Sequence, residues 1–280
     1  RLELGMRVRD FASRELALPD NQSYRRYAAL DRPYVVWNVF AAPELSLRLR
    51  TQCFPVAGCV VYRGFFSAEG AERWANDLRR EKLDVYVGGV PAYSTLGWFA
   101  DPLVSTFIRY PELELARLVF HELAHQVAYA RDDTAFNESF ATAVERLGGA
   151  RWLASHSSPR AREEYAAFDA RRNQFRTLNR ATRQALSALY SEEKQPSAPV
   201  NQDKRAIKSR VMQDFRAQYA QLRAAWLAAP GGASLSVAGY DAWVASANNA
   251  AFAAQAAYDD LVPAFEALFE REAGGRPQRE

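Results

Sequence analysis

Histidine, cysteine and long apolar runs are scarce in this 280-residue sequence, which has three histidines and two cysteines. Two cysteines cannot form a complete four-ligand zinc site, so an all-cysteine zinc module is excluded. The alanine-rich segment Ala250 to Tyr258 is interrupted by Gln255. It falls short of the roughly 18 apolar residues that cross a bilayer, and we expect no membrane-spanning segment.

The chain also lacks a large net charge of either sign. Lys and Arg number 36 against 33 Asp and Glu, which leaves a net charge of +3. This small excess does not indicate a nucleic-acid-binding tail, and we expect no nucleic-acid partner. Hydrophobic residues make up 49% of the chain, enough for one large core or two modest lobes.

The two cysteines, Cys53 and Cys59, lie close together in the sequence and flank a turn-like stretch. Such a turn brings two Cα atoms within bridging distance, so we favour a local disulfide, as in an exported protein. The alternative is two buried free thiols in a cytosolic protein. The chain begins at Arg1 rather than Met, and we expect that a leader or tag has been removed.

The pattern of the chain predicts a mixed α/β lobe over residues 1–149 and a helical lobe over residues 150–280, within a single domain. Predicted strands are Tyr34 to Phe40, Val60 to Phe66 and Asp84 to Val87, with a helix from Ser67 to Lys82 between the last two. Predicted later helices are Arg160 to Tyr190, Asp203 to Ala228 and Tyr240 to Glu270. The order of elements predicts an α+β, mostly α fold with a small sheet.

The sequence HELAH, from His121 to His125, lies within a predicted helix that spans Glu112 to Arg131. Its two histidines are one turn apart on one face, where both reach a single metal ion. Glu122 leans off that face and is suited to proton transfer as a general base. We therefore predict a catalytic zinc site, with residues 1–280 as a single catalytic domain in which a zincin-like small sheet and active-site helices precede the helical lobe.

A catalytic zinc ion has three protein ligands, so one ligand comes from elsewhere in the chain. The extended metzincin motif is excluded because its later positions hold Ala128 and Arg131. His156 and several carboxylates remain candidates. A second helix, predicted from Thr134 as N-cap to Leu147 with Gly148 at its C-cap, contains two of these carboxylates, Glu138 and Glu145.

The segment that starts with Asn137, NESFATAVE, resembles the second-helix segment of aminopeptidase-N-type enzymes, or gluzincins. The resemblance implies that Glu138 is the third zinc ligand. Glu145 lies seven residues later on the same face, where it either hydrogen-bonds a ligand histidine or forms a surface ion pair. The implied reaction is hydrolysis of peptide bonds by a zinc-activated water, with Glu122 as the base.

Further segments resemble a bacterial family of predicted aminopeptidases, and the similarity spans most of the chain from Tyr34 to Phe269. They are Val56 to Cys59, Asp84 to Val90, Ala92 to Phe99 and Asn248 to Ala250. Members of that family resemble exported, often lipid-modified envelope proteins. The resemblance therefore implies one zinc ion per chain, peptide substrates, a periplasmic location and a lipid anchor on a removed N-terminus.

The sequence departs from aminopeptidase-N-type enzymes in two respects. Only twelve residues separate His125 from Glu138, and no upstream glutamate motif for the substrate's free amine is present. An endopeptidase with a narrow protein substrate and a catalytically silent, zinc-binding envelope interaction protein are therefore alternatives to an aminopeptidase. Candidate substrate-binding residues are Tyr93, Asn248, Asn249 and Tyr258, for which capping, turn formation or core packing are equally suitable roles.

Overall fold

A computed structural model describes residues 1–54, 58–157, 159–191, 201–232 and 235–274. Helices account for 60% of the chain and strands for 11%, so the predicted α+β class with dominant helix is confirmed. Within these described ranges, no helix combines the length and the apolar character needed to cross a membrane.

Short strands and helices alternate in the first half of the chain, and long helices follow. The strands are β1 (Tyr27–Ala28), β2 (Val36–Pro43), β3 (Gln52–Phe54), β4 (Gly58–Val60), β5 (Arg63–Phe65), β6 (Leu83–Val90) and β7 (Leu103–Val104). The helices are α1 (Leu2–Leu16), α2 (Ala68–Arg80), α3 (Glu112–Ala124), α4 (Thr134–His156), α5 (Pro159–Ser191), α6 (Asn201–Ala228), α7 (Ala238–Ser246), α8 (Asn249–Asp259) and α9 (Val262–Gly274).

The largest described sheet is antiparallel, with β2 between β5 and β6. Successive residues of β2 face opposite sides of the sheet, and both sides are covered. Val39 and Ala41 pack with residues of α2, whereas Phe40 and Ala42 pack with residues of α8. Ser67 caps α2 as predicted, since its side chain accepts the N–H of Gly70.

A second core joins α1, α3 and α4. Phe11 of α1 packs edge-on against Trp152 and beside Phe120. The sequence interpretation overlooked α1, although Leu4, Val8 and Phe11 lie at helical spacing and are buried. This core supports the helix that carries both histidines of the HELAH segment.

The predicted helix end at Gly148 is wrong, because α4 continues through Gly148 and Gly149 to His156. Both glycines lie where α4 meets neighbouring helices. A Cβ added at Gly148 would lie 2.6 Å from Leu16, and one at Gly149 would lie 2.8 Å from Arg117. The glycines permit close helix packing here and do not interrupt the chain. The division into lobes at this point stays a prediction.

The long helices α5 and α6 form a third core with α7 and α8. Phe215, Tyr219 and Trp226 of α6 are buried in it, as the predicted apolar stripe requires. The single helix predicted from Tyr240 to Glu270 is wrong, because the described chain forms α7, α8 and α9 there. Asn248 begins a new helix by accepting the N–H of Ala251 with its side chain.

The predicted disulfide between Cys53 and Cys59 is present and joins the antiparallel pair β3 and β4. The residues at positions 55–57, within the predicted turn, lie outside the described residues. The backbone N–H of Cys59 donates to the carboxylate of Asp132. This contact ties the disulfide hairpin to the connection between α3 and α4.

We expect replacement of both cysteines by serine to lower the free energy of unfolding by about 2 kcal/mol. The bond closes a short loop with a sequence separation of 6, and a short loop removes only modest entropy from the unfolded chain. Urea denaturation of the oxidised protein and the double variant tests this. An unchanged midpoint would contradict this expectation. The variant Asp132→Asn, which keeps the disulfide and weakens the contact between Asp132 and Cys59, measures the contribution of that contact separately.

Candidate metal centre

Three side chains from α3 and α4 converge at one point. The Nε2 atoms of His121 and His125 are 3.2 Å apart. The Oε2 atom of Glu138 lies 3.4 Å from the first of these nitrogens and 3.8 Å from the second. This group is able to hold a metal ion, since its ligand atoms all lie within 4.8 Å of one another.

The spacing of these atoms fits the ligand set of zinc. Ligands about 2.0–2.1 Å from a tetrahedral zinc ion lie roughly 3.3 Å from one another. Two of the three separations, 3.2 and 3.4 Å, match this value, and the third is 3.8 Å. Two imidazole nitrogens and a carboxylate oxygen are also donor types that zinc prefers. The chain's own geometry therefore fits the ion that the sequence predicts.

The helix that carries the histidines is shorter than predicted. It ends at Ala124 rather than Arg131, and His125 is its C-cap residue. His125 keeps α-helical backbone angles, with φ −59° and ψ −20°. The one-turn relation between the two histidines is preserved for this reason, even though the HELAH segment lies at the end of the helix and not well inside it.

The connection between the two ligand-bearing helices is fixed by side chains. Asn137 accepts the N–H of Ala130 at 2.7 Å and donates to its carbonyl oxygen at 2.8 Å. The N-cap of α4 is Asp133 rather than Thr134, as its carboxylate accepts the N–H of Phe136. These contacts place Glu138 in the first turns of α4, opposite the end of α3.

Glu145 lies two helical turns beyond Glu138 in α4 and contacts His121. Its Oε2 atom is 3.1 Å from Nδ1 of that histidine. A proton on Nδ1 that is donated to this carboxylate leaves the lone pair of Nε2 directed at the cluster. The contact predicted as one of two roles for Glu145 is therefore present in the structure.

Arg117 holds Glu145 from the other side, an interaction that the sequence interpretation overlooked. Its Nη2 and Nε atoms donate to Oε1 of Glu145 at 2.6 and 3.0 Å, and it also donates to the hydroxyl of Tyr165. Burial favours the neutral acid, but the hydrogen bond with His121 and the charge of Arg117 outweigh it and hold the pKa of Glu145 at about 2. Glu145 is thus a buried carboxylate held ionised.

Glu122 is 7% exposed and faces the same region. Burial raises the pKa of its carboxyl to about 7, the charge of His121 opposes the rise, and the charges of Glu138 and Asp101 add to it. A carboxyl whose pKa lies near neutrality can both accept and release a proton at neutral pH. This is the property required of a general base that later acts as an acid.

The two histidines differ in their proton affinity. Burial lowers the pKa of His121, but hydrogen bonds to Glu138 and Glu145 outweigh it and raise the pKa well above the ordinary value. Burial lowers the pKa of His125 to about 4. The Nδ1 atom of His125 has no hydrogen-bond partner among the described residues. The surroundings therefore favour a positive charge at His121, and a proton there competes with a metal ion.

We expect the affinity of the protein for zinc to increase with pH. His121 must lose its proton to bind a metal, and because its pKa is raised, metal binding at neutral pH displaces that proton. The apparent dissociation constant should fall by about tenfold for each unit by which the pH rises below the pKa of His121. Competition with a chromophoric chelator measures it, and an affinity that does not change with pH would contradict the expectation.

Three tyrosines lie near the cluster. Burial raises the pKa of Tyr62 and of Tyr129, and in both cases the nearby charge of Glu138 raises it further. Tyr93, predicted from the sequence to bind substrate, contributes to both effects and is 50% exposed. Tyr62 and Tyr129 were overlooked because an isolated tyrosine has no distinguishing sequence pattern.

Other sequence candidates have structural roles. Asn248 caps α8 and donates to the carbonyl of Val85, and Asn249 is buried with its amide on the carbonyls of Pro43 and Glu44. Their substrate-binding hypothesis is not retained, because the amide groups hold α8 against the sheet. The side chain of Tyr258 lies outside the described residues.

His156, a candidate third ligand, is placed apart from the cluster. Its ring stacks on that of Trp152 at a centroid distance of 4.3 Å, and the hydroxyl of Ser155 lies 2.7 Å from its Nδ1 atom. Among the described residues, the group able to hold a metal contains Glu138 as its third member. The role of His156 in the structure is to pack against Trp152 at the end of α4.

Together, the helical α+β fold and the His121, His125 and Glu138 cluster define a protein with a candidate metal site beside a buried carboxyl group. A family model described as putative aminopeptidase matches residues 1–278, and the chain belongs to that family. The resemblance of the sequence to a family of predicted aminopeptidases is thereby confirmed. No curated protein and no solved structure gives a significant match.

Proposed function

We propose that the protein is a zinc-dependent hydrolase of peptide bonds, and an aminopeptidase in particular. The convergence of two imidazole nitrogens and one carboxylate oxygen within 4.8 Å carries this proposal. Membership of a family described as putative aminopeptidase supports the same reaction class. Zinc would be held by His121, His125 and Glu138.

A zinc ion in this position supplies Lewis acidity for attack of water on a carbonyl group. The chain's own residues handle the protons and the orientation of the ligands. Glu122 accepts a proton from the attacking water and then transfers it to the leaving amine. Glu145 fixes the ring of His121, since it accepts from Nδ1.

The surroundings of Glu122 also favour this role. It is buried beside ionised carboxylates, so its charged form is less stable than in water. A carboxylate whose charged form is destabilised has a higher affinity for a proton. An inert zinc protein that serves only as a scaffold has no need of such a group.

We further propose that the protein functions outside the cytoplasm. The Cys53–Cys59 disulfide supports this location, because structural disulfides persist in oxidising compartments. Redox-sensitive labelling of thiols in whole cells tests the proposal. Oxidised cysteines are expected in the envelope fraction, whereas reduced thiols in the cytosolic fraction would refute it.

The test of function combines metal analysis with peptide hydrolysis. We expect one zinc ion per chain by mass spectrometry, cleavage of peptides with a free N-terminus, and loss of cleavage after chelation with recovery on adding zinc. Matched N-blocked peptides are the control that separates the two peptidase types. Efficient cleavage of blocked peptides would identify an endopeptidase, and a zinc-loaded protein without any peptidase activity would refute the proposal.

A further inference from the structure

Beside the metal centre, the segment 93–101 exposes three aromatic side chains to solvent. Tyr93 is 50% exposed, Trp98 79% and Phe99 74%. Aromatic residues of this size usually bury most of their surface within a fold. Exposure of neighbouring aromatics at one place indicates a binding surface more often than scattered single residues do.

The segment, here called the aromatic turn, is held in one conformation by its own hydrogen bonds. Thr95 donates its N–H to Asp101 at 3.0 Å, and its hydroxyl accepts the N–H of Phe99 at 3.1 Å. The backbone of Trp98 donates to the carbonyl of Thr95, and Gly97 adopts a φ of +83°, which favours glycine. The aromatic groups are therefore presented by a fixed turn.

Two contacts place the aromatic turn next to the catalytic groups. A Cβ added to Gly97 would lie 3.7 Å from Gln126, the residue that follows His125. Gln126 donates to the hydroxyl of Ser23, which in turn donates to the carbonyl of Phe99 at 3.5 Å. At the other end, Asp101 is buried and its charge acts on Glu122. The turn is thus adjacent to the C-terminal end of the HELAH segment, and Asp101 lies within electrostatic range of Glu122.

The two chain segments that meet here lack charged residues. No charged residue occurs in the segments 91–100 and 126–130. Val127 and Tyr129, which follow Gln126, are 53% and 40% exposed. Such a surface gains from covering apolar groups and offers no ionic partner to a charged side chain.

We propose that the aromatic turn binds an aromatic or large aliphatic side chain of the peptide substrate next to the bond that is cleaved. The inference rests on the proposed peptidase function and adds the substrate class to it. Gln126 follows His125, one of the proposed ligands, and the turn lies against Gln126, so a peptide held at the metal centre would pass close to the turn. Trp98 and Phe99 would then be covered by the substrate.

Peptide pairs that differ only in one residue beside the cleaved bond, Phe or Ser, test the proposal. The zinc-loaded protein is expected to prefer the Phe peptide by on the order of tenfold in kcat/KM. The double variant Trp98→Ala/Phe99→Ala should lose this preference and cleave the Ser peptide at the unchanged rate with unchanged zinc content. Phe66→Ala, at an exposed position outside the turn, is the control that keeps the preference.

A preference that survives in the double variant would overturn the inference. If the protein cleaves no peptide, the proposed function fails. Binding of labelled, intact Phe and Ser peptides, measured by fluorescence anisotropy, then tests the inference separately. Binding of the Phe peptide that weakens only in the double variant supports it, whereas equal binding by both proteins overturns it. Turn-dependent sedimentation with phospholipid vesicles, together with an unchanged peptide preference, would assign the turn to a membrane surface instead.

Discussion

Glu122→Gln is expected to lower kcat by a factor of about 10²–10⁴ while zinc remains bound. The substitution retains the size of the side chain and removes its ability to accept a proton. His121, His125 and Glu138 form the cluster without a contribution from Glu122. The loss should therefore fall on kcat, whereas KM and zinc content should change little.

The stability of the variant provides a matched control. Burial raises the pKa of Glu122 to about 7, so ionisation of this group opposes folding. In the metal-free protein its contribution to stability is fully present below about pH 4.5 and is lost as the pH rises through about 7. A neutral glutamine removes that dependence. Above about pH 7, the midpoint of urea unfolding of the metal-free variant should therefore equal or exceed that of the metal-free wild type. Wild-type turnover with intact zinc in the variant would exclude Glu122 as the base.

Arg117→Met is expected to lower the free energy of unfolding by about 3–5 kcal/mol and to weaken zinc binding. Arg117 and Glu145 are only 5% and 13% exposed in their side chains. Removal of the guanidinium takes away the cation closest to the buried carboxylate of Glu145, with Arg172 remaining at 3.9 Å, and it also leaves the hydroxyl of Tyr165 without this donor. Zinc binding should weaken because Glu145 orients the ring of His121.

A double-mutant cycle separates the charge pair from general packing. Glu145→Gln is neutral and keeps an acceptor for His121, so Arg117→Met/Glu145→Gln should be less destabilised than the sum of the single variants. Urea denaturation in the presence of chelator gives the unfolding free energies, and metal competition gives the zinc affinities. Strict additivity would show that the two groups do not depend on one another.

The metal cluster could be predicted because its chemistry depends on short spacings along helices. Two histidines one turn apart share a face wherever the backbone stays α-helical, and this survives the early end of α3 at Ala124. The prediction that Glu138 is the third ligand rested on a resemblance and not on spacing, since nothing in the sequence alone shows how α4 is oriented against α3. The class of fold followed from the predominance of helical periodicity after residue 150.

Features that depend on contacts between distant segments could not be predicted. Arg117 has an ordinary helical position in the sequence, and only the packing of α3 against α4 brings it to Glu145. Paired glycines ordinarily favour a helix end, but α4 continues through Gly148 and Gly149, where a Cβ would collide with side chains of α1 and α3. Tertiary packing decided both cases against local preference.

The placement of the ligands has a consequence for the order of folding. His121, His125 and Glu138 all belong to one pair of consecutive helices, whose connection is secured by the side chain of Asn137. Contacts between segments close in sequence require little loop-closure entropy and form rapidly. The three side chains can thus come together in a local helical hairpin, before the distant α6 to α9 segments dock, so that the proposed zinc ion could be bound before the fold is complete.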